Sequence, residues 1–431
     1  MAKFKRISCL PSYLLACLLL TCVSPLAFGY DMVPAPPQTQ ALLLKGGTLY
    51  TAADGVLINT DLLIEHGKIV AMGKQLAANN AEVIDVSGKH IYPGLIALNT
   101  QIGLNEISMV RSTVDSGEIG SFNPEISSAT AFNADSEIIP TVRANGITHA
   151  HIVPAGNGLV GQSVLVNLDA WTIDDAKVAA TGQHLVWPAI DAPAATQEER
   201  EKQATELNEQ ISDIHKNFAA SFHYYQAAKA GALAQKQQSY DAMQPLFERR
   251  ASLFVHADKL NSIESAAALA RQYGLKLIIV GGYDAWRAAD ILNEINASVI
   301  YTHMLSMPLR HDDPIDLPYR IPSLLAAANL PFAIGFSGDW DTRNLPFAAA
   351  QAISHGLSSE LSLQAITVNA AIMLGQQDMG VLAPGYRANL VISKGDIFDP
   401  KQHGVEALFI DGRLVDLNNR HKQLYQKYLN R

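Results

Sequence analysis

Histidines placed at the ends of apolar runs, together with one aspartate, carry most of the chemistry this sequence offers. His149-Ala150-His151 is a His-x-His whose two imidazoles share one face of a strand, because strand side chains alternate with a period of two. His256 closes the apolar run Leu253–Ala257, and His303 follows the run Ser298–Thr302. Asp339 stands in Phe336-Ser337-Gly338-Asp339-Trp340-Asp341, just beyond a further apolar run. Neutral imidazoles joined by a carboxylate bind divalent ions or exchange protons near neutrality. If His151, His256, His303 and Asp339 converge, they make a metal or acid/base site; if they do not, they line a pocket. His311-Asp312-Asp313 lies in a loop and reads as a solvated or ion-paired group.

Other chemistries are thinner. No Gly-x-Ser-x-Gly is present to support a serine nucleophile. Gly156-Asn157-Gly158 and Gly161-Gln162-Ser163 read as a glycine-rich loop after a strand. It is either a tight turn or a presenter of backbone amides to an anionic or carbonyl group. Cys9, Cys17 and Cys22 all precede Gly29. The early segment carries Lys3, Lys5 and Arg6, an apolar stretch Leu10–Leu20, then Ala27-Phe28-Gly29, the layout of a secretory signal cut after Gly29. A lipid anchor through Cys22 or Cys17 and a retained anchor helix are the alternatives. Cleavage leaves a chain without cysteine, which suits the periplasm or the exterior and removes thiolate chemistry and disulfides. A formal net charge of -9 and the lack of any dense Lys/Arg run argue against nucleic acid as a partner.

The elements that must position these residues fall into two patterns. Leu42–Tyr50, Val56–Glu65 and Lys68–Met72 are strands separated by turns at Asp54-Gly55 and His66-Gly67. Asn389–Ser393, Ala407–Ile410 and Arg413–Val415, with a turn at Asp411-Gly412, read as their partners from the far end. Between them, short apolar strands alternate with helices. Leu253–Ala257 is followed by a helix capped by Asn261 and stopped at Gly274. Strand Leu275–Val280, helix Asp284–Ile295, strand Ser298–Thr302, helix Pro322–Asn329 and strand Pro331–Phe336 follow. Repeated β-α-β units predict an α/β fold, a (β/α)8 TIM-type barrel whose active residues sit at the C-terminal strand ends. The small β-sandwich domain is discontinuous, formed by both ends of the chain. The expected layout is a signal peptide at 1–29, a linker at 30–41, the first part of the β domain at 42–92, the barrel at 93–375 and the second part of the β domain at 376–431. A Gln-, Ala-, Glu- and Lys-rich stretch at about 192–250 is a helical insertion.

Several segments in one order resemble the imidazolonepropionase-like branch of the amidohydrolase superfamily. They are Ile91-Tyr92-Pro93-Gly94-Leu95-Ile96, Gly146-Ile147-Thr148, Gly161-Gln162-Ser163, Val255-His256-Ala257, Arg343-Asn344-Leu345-Pro346-Phe347, Ala365–Ala371 with Leu374-Gly375, and Leu382-Ala383-Pro384-Gly385 before Asn389-Leu390-Val391. The resemblance implies a metal that polarises a carbonyl and activates water, with an aspartate on the last strand as base. It also implies a ligand set, and this chain departs from it. The first-strand His-x-His becomes Asn99 and Gln101, and the sixth-strand histidine becomes Gly281-Gly282. The eighth-strand aspartate is either Ser337 or Asp339, and His256 alone is a good match.

Two functions follow from that departure. One is a hydrolase of C–N bonds in small cyclic amides or other amides, with Asp339 as base, His256 as ligand or electrophile, His151 or His303 as further site candidates beside Asn99 and Gln101 for substrate binding, and at most one weakly held zinc ion. The other is a catalytically inactive binding or partner protein in which Asn99 and Gln101 hydrogen-bond the ligand. Carboxamides both donate and accept hydrogen bonds and are poor zinc ligands. A small-molecule ligand is expected in either case, with a homo-oligomer or a hetero-oligomer with an intact paralogue as further possibilities.

Overall fold

The computed structural model describes residues 33–77, 80–190, 192 and 194–431; the expected signal segment and its cysteines lie outside them. Pro34–Arg431 is one compact unit. It opens with β1 (Leu42–Tyr50), β2 (Val56–Glu65) and β3 (Lys68–Gly73), an antiparallel meander. The tight turn between β2 and β3 uses His66 and Gly67 at φ of 51° and 74°, the paired left-handed geometry that suits strand twist. β4 (Glu82–Asp85) and β5 (His90–Pro93) then pair parallel to β1.

Through Gly94 the chain passes directly into the barrel. A Cβ at Gly94 would lie 2.5 Å from the Thr148 side chain, so only glycine allows this close crossing. The barrel strands are β6 (Leu95–Thr100), β7 (Ile147–Ile152), β8 (Gly158–Asn167), β9 (Lys177–Val186), β10 (Ser252–Ala257), β11 (Lys276–Gly281), β12 (Ser298–Tyr301) and β13 (Phe332–Ile334). They lie side by side in sequence order, and a parallel bridge between Leu98 and Gly335 joins the last to the first. The expected barrel is therefore present, with one strand reversed. β8 pairs antiparallel with both β7 and β9, whereas the other ladders are parallel. This corrects the reading of Gly161-Gln162-Ser163 as loop: the segment is strand, and its apolar continuation Val164-Leu165-Val166 is fully buried.

The barrel interior packs Ile96, Leu98, Leu165, Phe254, Ile278, Val280, Ile300 and Ala333 against Ala370 and Ala371. Helix Leu260–Tyr273 follows β10 and ends at Gly274, whose φ of 66° is the left-handed stop that glycine adopts without strain. Its cap is Lys259 and not Asn261, which lies within the first turn and accepts from Ser262 N at 2.9 Å. The insertion forms helices Gln197–Lys229 and Gln238–Phe247. The first starts with a capping box between Thr196 and Glu199. The pair packs on β8 and β9, burying Ile214, Phe218, Met243 and Leu246.

After the barrel, β14 (Leu390–Ser393), β15 (Val405–Ile410) and β16 (Arg413–Val415) return to the opening meander. β14 pairs antiparallel with β5, so both ends of the chain share one eight-stranded sheet. Leu44, Leu49, Leu62, Ile64, Ile91, Leu390, Ile392 and Phe409 form its core. The buried carboxylate of Asp169 fastens this sheet to the barrel. It accepts from Arg143 at 2.8 Å, Arg413 at 3.0 Å and the Ala35 backbone at 3.0 Å.

Candidate functional site

The C-terminal ends of seven barrel strands open on one face, the place where barrel sites are built. His256 is the penultimate residue of β10, and Asp258 follows two residues later. Asp258 Oδ1 lies 2.7 Å from His303 Nε2, just past β12, and accepts from Tyr283 N at 3.3 Å. Tyr283 meets His303 edge-on, with ring centroids 5.6 Å apart. The loop beyond His303 is held by Arg310, which forks onto Asp284 with both bonds at 2.8 Å. Asp313 is ion-paired to Arg310 and accepts from the Tyr283 hydroxyl at 3.0 Å, while His311 and Asp312 are exposed.

Gly281, at the end of β11, explains why this arrangement fits. A Cβ there would sit 3.1 Å from Asp258 Cγ and closer still to Oδ1, and Gly281 has φ of 93°. The space that a sixth-strand side chain would occupy is therefore filled by the Asp258 carboxylate.

A second network runs inward from the mouth. His256 Nε2 is 2.9 Å from His184 Nδ1, and His184 Nε2 is 2.8 Å from Ser163 Oγ. Ser163 Oγ is 2.6 Å from Thr181 Oγ1, which is 3.0 Å from His151 Nε2. Phe254 stacks on His184 at a 4.6 Å centroid separation. Burial disfavours the charged imidazoles. It pulls His256 down to about 4 against the opposing pull of Asp258, and His151 down to about 3 with help from His256. His184 is held well below its ordinary range by burial, then by His256 and His151. All three rings are thus neutral near pH 7, and each hydrogen bond between them needs one donor and one acceptor nitrogen. His149 stands apart: its Nδ1 is 3.0 Å from Thr148 Oγ1, and burial with Arg387 and Arg413 lowers it to about 3.

The residues singled out from sequence are thus divided. His151 and His256 join one chain of hydrogen bonds, and His303 belongs to the neighbouring carboxylate pair. Asp339 turns back on itself, its carboxylate accepting from Trp340 N at 2.5 Å, and Ser337 is exposed. Asn99 and Gln101 take part in closing the barrel. Asn99, at φ of 57°, donates from Nδ2 to Phe336 O at 2.8 Å, and Thr100 Oγ1 donates to Gly338 O at 2.7 Å. Gln101 Oε1 accepts from Asn105 Nδ2 at 2.6 Å. Asn99 Oδ1 is buried and has no hydrogen-bond partner among the described residues. Sequence reasoning missed Asp258, His184, Ser163 and Thr181. A strand-end His256-Ala257-Asp258 is the signal for the first, since residues two apart share a face.

The donors at the strand ends do not fit a two-metal centre. The first-strand pair is carboxamide, Asn99 bonded across the seam to Phe336 O and Gln101 to Asn105, and the sixth-strand slot holds a carboxylate bonded to His303. Among the described residues, no group of three or more histidines and carboxylates is arranged to hold an ion.

A model of the amidohydrolase family matches residues 91–415. The chain belongs to the amidohydrolase family. Among solved structures, an amidohydrolase from Thermotoga maritima superposes with a TM-score of 0.78 at 23% identity, over 87% of this chain and 99% of that one. A prolidase bound to N-methylphosphonate-L-proline gives a TM-score of 0.53 at 15% identity, over 87% of this chain and 99% of its own. Both likenesses are of fold. Among curated proteins, a dihydroorotase from Bacillus cytotoxicus is 45% identical over 60 residues, 14% of this chain and 14% of the relative. The chain therefore spans only 14% of the length of that curated relative. No helix among the described residues is long and apolar enough to cross a membrane.

Proposed function

We propose that this amidohydrolase-family chain binds a small cyclic amide or imide at its barrel mouth through protein groups alone, without metal-activated hydrolysis. The observation that carries the reading is the Asp258 carboxylate, bonded to His303 at 2.7 Å in the space of a sixth-strand ligand. A cyclic amide presents one N–H and one C=O side by side. Asn99 Oδ1 supplies a buried acceptor without a partner among the described residues, and neutral His256 supplies a polar ring on the opposite side of the strand order. The short match to a dihydroorotase supports the ligand class.

A second reading keeps catalysis without a metal, and the same dyad favours it. A carboxylate 2.7 Å from Nε2 orients the His303 ring, which retains 17% exposure and can take a proton from water. Asp339 and His256 were the catalytic candidates from sequence; in this reading His303 is the base and His256 polarises the carbonyl.

Titration calorimetry with dihydroorotate and hydantoin, elemental analysis and product chromatography on protein purified without added metal test both. Binding heat with substoichiometric metal and no turnover is the expected result. A full equivalent of tightly held transition metal with turnover overturns the proposal. Turnover without metal that His303→Ala abolishes establishes the second reading.

We further propose that the chain is exported and cleaved after Gly29, as the Lys3–Arg6 charge and the following apolar stretch suggest. Terminal sequencing of the mature protein should start at Tyr30; a retained Met1 refutes it.

A further inference from the structure

We propose that helix Arg420–Leu429 is an attachment device for an anionic lipid surface. The inference is independent of the ligand-binding reading. The helix begins with a side-chain cap, Asn419 Oδ1 accepting from Lys422 N at 2.9 Å. Its first turn is fastened to the body: His421 meets Trp340 at a 5.9 Å ring separation, and Lys422 Nζ donates to Leu417 O at 2.8 Å. Past it, Leu424 is half-buried, and from Tyr425 onward the helix is exposed. None of its residues is buried, and Tyr425, Tyr428 and Leu429 are 63%, 60% and 63% exposed.

The order of residues around the helix identifies the occupant. At 3.6 residues per turn, Leu424, Tyr428, Tyr425 and Leu429 fall within one arc of about 140°. Arg420, Lys427 and Arg431 border that arc on one side; Lys422, its head held by Leu417 O, stands on the other, His421 sits within the arc against Trp340, and Gln423, Gln426 and Asn430 face away. Residues 420–431 hold these four cations and no Asp or Glu, in a chain of net charge -9. Cations at the margins of an apolar stripe can lay their stems along hydrocarbon while the heads reach phosphates. Tyrosine rings suit the headgroup layer, with the ring in apolar surroundings and the hydroxyl in water. A packed protein interface would instead bury the stripe and need carboxylates opposite the cations; a lipid surface bearing phosphates supplies both needs at once. With four apolar side chains the attachment is weak and reversible.

Flotation of the mature chain, which the proposed cleavage starts at Tyr30, with phosphatidylcholine vesicles, with and without phosphatidylglycerol, tests this. Binding is expected only with phosphatidylglycerol, and it should vanish at high salt. The Lys427→Glu/Arg431→Glu variant should lower the bound fraction about tenfold or more. Tyr425→Ser/Tyr428→Ser should also lower it while keeping the wild-type circular dichroism and melting, since neither ring is packed. Equal binding to both vesicle types, binding to neither, or wild-type binding by the charge-reversed variant overturns the proposal. So does a dimer in analytical ultracentrifugation that the tyrosine variant dissolves, because a second copy would then be the occupant.

Discussion

Replacing Gly281 with alanine tests the central claim about the barrel mouth, that the Asp258 carboxylate has taken the place of a sixth-strand side chain. Two costs add. The backbone at φ of 93° is one that a Cβ disfavours, at about 1–2 kcal/mol. The new methyl group also drives Asp258 Oδ1 away from His303 Nε2 and Tyr283 N. A hydrogen bond with a charged partner is worth about 1.5–3 kcal/mol. Because the Asp258 side chain is 37% exposed, the lower end, about 1.5 kcal/mol, is appropriate. The sum is about 3 kcal/mol, a fall of about 6 °C or less in melting temperature for a chain of this size. Calorimetric melting of Gly281→Ala, Asp258→Ala and the double variant gives the decisive number. With the carboxylate already gone, the glycine change should cost only its backbone share, so the two single costs should exceed the double by about 1.5 kcal/mol. Additive costs, or a Gly281→Ala protein as stable as the parent, would refute the placement of Asp258. The His303 ring N–H resonance gives a second reading: it should lose its low-field position in both single variants.

Acid should unfold the protein early. His256, His151 and His149 are held near 4, 3 and 3 against an ordinary 6.5, so the native rings stay neutral while the unfolded ones take up protons. Stability is full above pH 6.5 and falls as pH drops toward those native values. By about pH 5 each ring costs about 2 kcal/mol, so the three cost about 6 kcal/mol, comparable to the whole stability of many domains. Denaturant melts across this range check it, and an unchanged midpoint from pH 7 to about pH 5 defeats it. Gly182→Ala should be among the most damaging single changes, costing about 3 kcal/mol or more. Its Cβ would lie 2.9 Å from the Ser252 carbonyl carbon and closer to its oxygen, which the β9–β10 ladder holds in place; soluble yield and melting would show it. Ser163→Ala should cost about 1–3 kcal/mol by leaving His184 Nε2 and Thr181 Oγ1 without their shared hydroxyl; a neutral effect in chemical denaturation would mean that the inward network carries no stability.

Much of the architecture was legible because it depends on local pattern. The short apolar runs in Leu42–Tyr50 and Val56–Glu65 and the turn residues at His66-Gly67 mark the first meander with no reference to the rest of the chain. The apolar runs ending at His256 and before His303 place those residues at the barrel mouth. The misses depend on partners far away in sequence. Nothing local says that β8 runs backwards, since its glycines at 158 and 161 resemble a loop until Val164–Val166 find neighbours on both sides. Asp258 gains meaning only from the empty Cβ position at Gly281, and Ser163 and His184 only from the register between β8 and β9, which pairs Gly161 with His184. Asn99 and Gln101 stand out in the sequence by their type. Their use in closing the barrel against Phe336 and Gly338 depends on a contact spanning more than half the chain.

The reversed strand carries a consequence for how the molecule assembles. β7, β8 and β9 are consecutive antiparallel neighbours joined by short connections, whereas the seam between Leu98 and Gly335 must bring together segments separated by most of the barrel sequence. Joining distant segments costs more chain entropy than zipping adjacent ones. The hairpin pair is therefore the natural nucleus, a preformed wall onto which later strands are added, and its amides should gain protection from solvent exchange before those of β6 and β13.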